Sequence, residues 1–300
     1  GTWLIDPQDF TIAATGGDIT GATLGANLAG GNVVIQSSTG SAAGVGSIFV
    51  NDAVSWSANK LTLTTAKDVN VNAILTASGT ATLAMNTATA NGADASVAGG
   101  NVFFGLANTT FSGSVNLGSR TGAGILTING NGYTVLGDAT SLQGMAAGGN
   151  YAIGSSINAA ATSGWNAGAG WNPIASFTGN LNGLGNTVSG LTISRTATNN
   201  IGLINALTGD VRNIGFSSVN ITGRDFTGGL ASTFATGTIA NTYVSGSIVG
   251  QNTTGGLIGN MTSGTASNVY TTGTINGSLY ANAGGVVGYM TGGTISGSGS

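Results

Sequence analysis

Short runs of alternating apolar and polar residues recur along the whole chain, each closed by Gly, Asn, Ser or Thr. Phe10-Thr11-Ile12, Asn32-Val33-Val34-Ile35-Gln36, Val54-Ser55-Trp56 and Val69-Asn70-Val71-Asn72 are early instances. Alternation with a period of two gives a strand one apolar and one polar face. Leu61 and Leu63 therefore face one side, and Thr62 and Thr64 the other. Further runs of this kind predict strands at 101–104, 114–117, 125–128 and 133–136.

In the last third of the chain the pattern becomes a repeat. Gly202-Leu203, Gly229-Leu230, Gly256-Leu257 and Gly285-Val286 recur at a nearly constant spacing. Each is followed by a second strand-like piece ending on or near Asn213, Asn241, Asn268 and Ser296. A third piece follows in most copies, as in Ser218-Val219-Asn220-Ile221, Gly246-Ser247-Ile248-Val249 and Gly273-Thr274-Ile275-Asn276. One such unit cannot bury its apolar side alone, whereas stacked units share a core. Three short strands and three turns in about 27 residues predict one coil of an all-β, parallel β-solenoid. The Asn column at 213, 241 and 268 has two readings of equal weight, a hydrogen-bonded ladder or plain turn preference.

The rhythm breaks between 141 and 176. Residues 141–147 predict a single helical turn, and 160–174 a loop excursion carrying Trp165, Trp171 and Pro173. Three segments result: 1–145 with solenoid repeats of one type, 146–196 as a continuation interrupted by the loop, and 197–300 with repeats of the second type.

Composition narrows the function. Gly is 55 of 300 residues, without the Gly-X-Y register of collagen. Lys plus Arg is 6 and Asp plus Glu is 9, all of them Asp, for a net charge of −3. Nothing resembles the basic stripe that neutralises phosphates, so nucleic acid is not an expected partner. His and Cys are both absent. That removes the usual zinc ligands and the Ser–His and Cys–His nucleophile arrangements. Without Glu, only Asp is left for paired-carboxylate hydrolysis. Asp210 and Asp225 are well separated along the chain and read as surface residues. Asp6, Asp9 and Asp18 are the candidate calcium ligands, but they lack the dense oxygen-ligand loop of such sites. No catalytic, cofactor-binding or metal residue is therefore assigned. Five glycosylation-type sequons start at Asn108, Asn220, Asn252, Asn260 and Asn276.

The residues that remain for ligand contact are aromatic. Trp165 and Trp171 lie in the irregular loop. Tyr243 and Tyr270 occupy equivalent places in successive repeats, with Tyr280 nearby. Exposed rings of this kind stack on flat apolar faces such as those of sugars. The competing reading is that they fill space inside the coils or pack the loop against the body.

Several stretches together resemble filamentous-haemagglutinin-like large exoproteins. They are Gly1-Thr2-Trp3-Leu4-Ile5-Asp6-Pro7 with Phe10-Thr11-Ile12; Trp56-Ser57-Ala58-Asn59-Lys60-Leu61-Thr62-Leu63 with Asp68-Val69-Asn70-Val71-Asn72-Ala73; and Tyr151-Ala152-Ile153-Gly154 with Ile157-Asn158-Ala159-Ala160-Ala161-Thr162 and Trp171-Asn172-Pro173-Ile174. The units at Gly228-Gly229-Leu230, Gly255-Gly256-Leu257-Ile258-Gly259 and Gly284-Gly285-Val286-Val287-Gly288 are similar to GLUG repeats. The resemblance implies a right-handed parallel β-helix and export by two-partner secretion. It implies an outer-membrane transporter as partner, acting through parts outside this chain, and a role in adhesion or biofilm formation at the bacterial surface. The expectation is a non-enzymatic, monomeric stalk or adhesive segment, with a glycan or host-surface ligand. The alternative is a polysaccharide-binding or polysaccharide-processing β-helix. A regular ice-binding Thr face is not supported, because Thr62, Thr64 and Thr192 do not continue as such a face.

Overall fold

Strands stack on strands of the same direction almost throughout, as the repeat predicts. The computed structural model describes residues 9–37, 46–87, 100–278 and 282–300, with residues 2–5 as backbone only. It is a parallel β-solenoid of about nine turns with little helix. Two compact units are distinguished, Gly1–Gly105 with Phe111–Val135 and Leu106–Thr110 with Leu136–Ser300.

In the first unit, Thr2–Ile5, Asn32–Gln36, Lys60–Thr64, Thr82–Asn86 and Gly122–Ile128 pair side by side and in parallel. A second sheet holds Phe10–Ile12, Ile48–Val50, Val69–Val71 and Val102–Phe103, and a third holds Val54–Trp56, Ile74–Ala77 and Ser114–Asn116. Alternation is realised directly: Leu61 and Leu63 are buried, and Thr62 and Thr64 lie on the other face. Carboxylates close the corners. Asp9 accepts hydrogen bonds from the Gly46 and Ser47 amides, each at 2.8 Å. Asp68 does the same for Gly100 and Asn101, at 2.9 and 3.0 Å. The Arg120 guanidinium is a second type of clamp. It donates to the carbonyls of Ala77 (2.6 Å), Ala81 (2.7 Å), Gly79 (3.3 Å) and Leu117 (3.0 Å).

Two features of this unit depart from the expected pattern. Residues Gly21–Gly30 form an α-helix, capped by the Thr20 side chain accepting from the Thr23 amide. Its glycines let it lie against a strand. A Cβ at Gly21 would sit 2.0 Å from the Ala53 carbonyl oxygen, and one at Gly25 2.6 Å from that of Ser55. In addition, Gly122–Ile128 and Asn131–Leu136 form an antiparallel hairpin. Its tight turn, Asn129-Gly130, has φ of 50° and 76°. This left-handed pair matches the twist of the flanking strands.

In the second unit, Asn150–Ile153, Asn180–Ser189, Asp210–Thr222, Thr238–Val249, Thr265–Asn276 and Thr294–Gly299 form successive rungs. Successive turns lie roughly 28 residues apart, close to the expected period. The second and third strand-like pieces of each repeat are one bent strand rather than two. The bends fall at Asn213, Asn241 and Asn268, with φ of 56°, 49° and 49°, and again at Ser218, Gly246 and Gly273. A further sheet stacks Ile174–Phe177, Ile204–Leu207, Ala231–Phe234, Ile258–Met261 and Val287–Met290.

Both expected roles of the Asn column are present. The residues take the left-handed conformation that Asn tolerates, and their side chains also form a ladder. Asn268 Nδ2 donates to Asn241 Oδ1 at 2.8 Å, Asn241 to Asn213 at 3.0 Å, and Asn213 to Asn182 at 3.3 Å. The core runs parallel to it. Phe177, Leu207, Phe234 and Met261 stack in register, as do Ile193, Ile221 and Ile248. Each buried aliphatic or aromatic side chain stabilises by about 1.5–3 kcal/mol, and only through neighbours in the coils above and below. The Gly-Leu signature has a steric cause. Leu203, Leu230 and Leu257 are fully buried. A Cβ at Gly229 would lie 2.4 Å from the Gly256 carbonyl oxygen, and one at Gly256 2.1 Å from that of Gly285.

Candidate functional site

The interruption at 160–174 is built from tight turns. Residues Ala160–Gly168 form a 3₁₀ stretch broken at Trp165, which is extended, and at Asn166 and Ala167, with φ of 52° and 56°. For Ala, this left-handed conformation costs about 1–2 kcal/mol. Asn166 Nδ2 donates to the Gly170 carbonyl at 2.7 Å, and the Thr162 hydroxyl to that of Ala159 at 2.6 Å. Gly170 then meets the body so closely that a Cβ would lie 2.3 Å from the Thr192 carbonyl oxygen.

Trp171 anchors this loop. Its side chain is wholly buried, and its Nε1 donates to the Leu203 carbonyl at 3.1 Å. Trp165 stacks on it, with ring centroids 6.2 Å apart and planes 16° from parallel, and remains partly accessible. Of the two tryptophans considered as ligand contacts, Trp171 is buried in packing the loop against the body, and Trp165 is partly accessible. The expected helical turn at 141–147 is a helix at Ala139–Gln143, and its last residue reaches the loop. Gln143 Nε2 donates to the Asn172 carbonyl at 2.6 Å, while Gln143 Oε1 accepts from the Asn172 amide at 3.1 Å. Gln143, Trp165, Asn166 and Asn172 together line an open cleft of about 510 Å³. No ionisable group lies among them.

The two tyrosines do not form an exposed strip. Tyr243 is only 5% exposed, and its hydroxyl is 3.1 Å from that of Thr187. The ring crosses Gly215, where a Cβ would come within 2.3 Å of it. Thr187, Gly215, Tyr243 and Tyr270 are register neighbours on successive rungs, so Gly215 is the gap through which Tyr243 reaches Thr187. Tyr270 is half-buried. Tyr280 lies outside the described residues.

The carboxylates are held by structural partners. Besides Asp9 and Asp68, Asp18 accepts from the Thr11 amide (2.7 Å) and Asp52 from the Gly21 amide (2.8 Å). Asp138 accepts from the Ser141 amide (2.7 Å) and Asp210 from the Thr238 amide (2.7 Å). Asp225 pairs with Arg224 at 3.5 Å and with the Asn252 side chain. Asp9 and Asp18 thus hold different turns, and Asp6, the third member of the calcium triad considered above, lies outside the described residues. Hydrogen bonds from Ser141 hold the Asp138 carboxyl below the usual aspartate value. Of the sequon asparagines, Asn108, Asn220, Asn252 and Asn276 are exposed, whereas the side-chain oxygen of Asn260 is buried.

No family model matches the chain, and no solved structure matches it. The chain is similar to halomucin of Haloquadratum walsbyi (strain DSM 16790 / HBSQ001), at 39% identity over 109 residues. The match covers 33% of this chain and 1% of that protein.

Proposed function

We propose that the chain is a structural and adhesive segment of a secreted, surface-exposed repeat protein. The observation that carries this reading is the continuous stacking of parallel rungs, in which register, core and Asn ladder pass from coil to coil. Such stacking makes a stiff support on which binding surfaces are held. The likeness to a short stretch of the very long halomucin is compatible with a surface role. Membership of the filamentous-haemagglutinin-like group with GLUG repeats, export through an outer-membrane transporter, and a part in attachment or biofilm formation are finer steps of this proposal. They rest on the sequence motifs.

The competing reading is a polysaccharide-processing β-helix. Support for a non-enzymatic role comes from the acidic residues: each described carboxylate is engaged in closing a turn or pairing with a neighbour. The test is to incubate the purified chain with a panel of plant, fungal and bacterial polysaccharides and assay new reducing or unsaturated ends. No release, together with high resistance to stretching in single-molecule force measurements, supports the scaffold. Sustained release of product ends refutes it.

A further inference from the structure

We propose that the cleft formed by Gln143, Trp165, Asn166 and Asn172 binds an uncharged pyranose unit of a glycan. Five observations converge on this one place. Trp165 is half-buried, and the fully buried Trp171 stacks against it and constrains its orientation. Trp171 is itself fixed by its bond to the Leu203 carbonyl. The indole is therefore a pre-set platform of the kind that accepts the apolar C–H face of a sugar. The lining beside it consists of amide side chains, which suits hydroxyls. The cation bonded to this loop, Arg195, has its Nε engaged by the Trp171 carbonyl at 3.3 Å and does not line the cleft, so nothing in the lining pairs with a uronate or sulfate.

Two of these amides, Gln143 and Asn166, are also held in place. Gln143 is tied at both ends to the backbone of Asn172, and Asn166 to the Gly170 carbonyl. The volume of about 510 Å³ falls in the range of small-ligand sites. Finally, the loop that carries Trp165 keeps Asn166 and Ala167 in succession at positive φ. Asn tolerates that region, but Ala167 holds strain there, and strain of this kind collects at binding sites. Nowhere else among the described residues do an accessible, braced indole and an amide lining occur together. The site deepens the adhesive part of the proposed function and rests on it; release of new sugar ends would refute the scaffold reading, whereas lost binding in the variants below bears on the site alone.

The test uses isothermal titration and ligand-observed NMR on the whole chain. The probes are cellohexaose, N-acetylchitohexaose and a hexamer of galacturonic acid. Binding of at least one neutral oligosaccharide is expected, with little or no binding of the anionic one. Trp165→Ala is expected to weaken it about tenfold or more. Asn172→Ala keeps the backbone that grips Gln143 and removes only the side-chain amide, so it guards against a merely unfolded loop. It is expected to weaken binding several-fold at an unchanged melting temperature. Tyr289→Ala alters an exposed ring elsewhere (48% accessible) and is expected to change nothing. The proposal is overturned if no neutral oligosaccharide binds, if the uronate binds best, if Trp165→Ala and Asn172→Ala leave affinity intact, or if Tyr289→Ala abolishes it.

Discussion

Replacing Asn241 separates the two roles that its column combines. Its side chain donates to Asn213 at 3.0 Å and accepts from Asn268 at 2.8 Å, and its backbone sits at φ 49°. Each ladder bond contributes about 1 kcal/mol net, so their loss together costs about 2 kcal/mol. Asn241→Gly loses the bonds and keeps the backbone conformation. It adds about 0.4–1 kcal/mol through the greater freedom of the unfolded chain. Asn241→Ala loses the same bonds and is forced into the left-handed region at about 1–2 kcal/mol. The expected order is wild type, then Gly at about 2–3 kcal/mol destabilised, then Ala at about 3–4 kcal/mol. Urea unfolding followed by circular dichroism reads these differences from the midpoints. Amide exchange of Thr242 and Val269 reports whether the loosening stays in the adjacent rungs. A Gly variant as stable as wild type would show that the ladder contributes nothing. An Ala variant no worse than Gly would show that the backbone conformation is not what selects Asn.

Other outcomes follow from single contacts. Gly215→Ala pushes a methyl group into the Tyr243 ring and should destabilise by about 1–3 kcal/mol. Most of that loss should vanish in a chain already carrying Tyr243→Ala, and simple additivity in the double-mutant cycle would reject the overlap. Arg120→Met strips four backbone carbonyls of their donor and should lower stability by about 2–4 kcal/mol, measured by thermal melting. Arg120→Lys should recover little, because one ammonium cannot span the same fork of acceptors. The Asp138 cap is pH-dependent. Its folded value is depressed, so its contribution is complete above the unfolded value of about 3.9 and is lost as pH falls through the lower folded value. Asp138→Asn should keep the cap and flatten that part of the stability profile, and an unchanged acid limb in this variant would count against the assignment.

Much of the fold was legible because a solenoid writes its geometry locally. Alternation at Leu61 and Leu63 and the recurrence of Gly-Leu once per repeat need no knowledge of distant partners. The Gly21–Gly30 helix was not legible, since its glycines look unfavourable until Ala53 and Ser55 are seen pressing on them. The hairpin at 122–136 had its signal in Asn129-Gly130, but the surrounding parallel repeats obscured it. The candidate site was half legible. The break in rhythm marked the loop, and Trp165 and Trp171 were visible in it. Which one is buried depends on Leu203, and the contribution of Gln143 depends on Asn172, far along the chain. Tyr243 and Tyr270 share a period, and period alone does not distinguish a ring lying across Gly215 from one exposed to solvent.

These cases point to one division of labour within the chain. At a regular rung position, a side chain is constrained by its counterparts in the coils on either side, so a change there spreads through the ladder or the core. Asn241, Phe234 and Gly256 are positions of this kind. The excursion at 160–174 is fastened to the neighbouring coil at Thr162, Gly170 and Trp171, and between those ties it combines the strained Ala167 with a partly accessible Trp165. If the proposed site binds a glycan, its recognition can change at Trp165 without altering the stack that supports it. It follows that substitutions at Trp165 or Asn172 should alter binding with little effect on stability, whereas substitutions at the ladder positions should alter stability first. Under the proposed reading, scaffold and binding site need that independence, and a loop tied to the body through Thr162, Gly170, Trp171 and the Gln143–Asn172 pair leaves Trp165 to vary without loosening the stack.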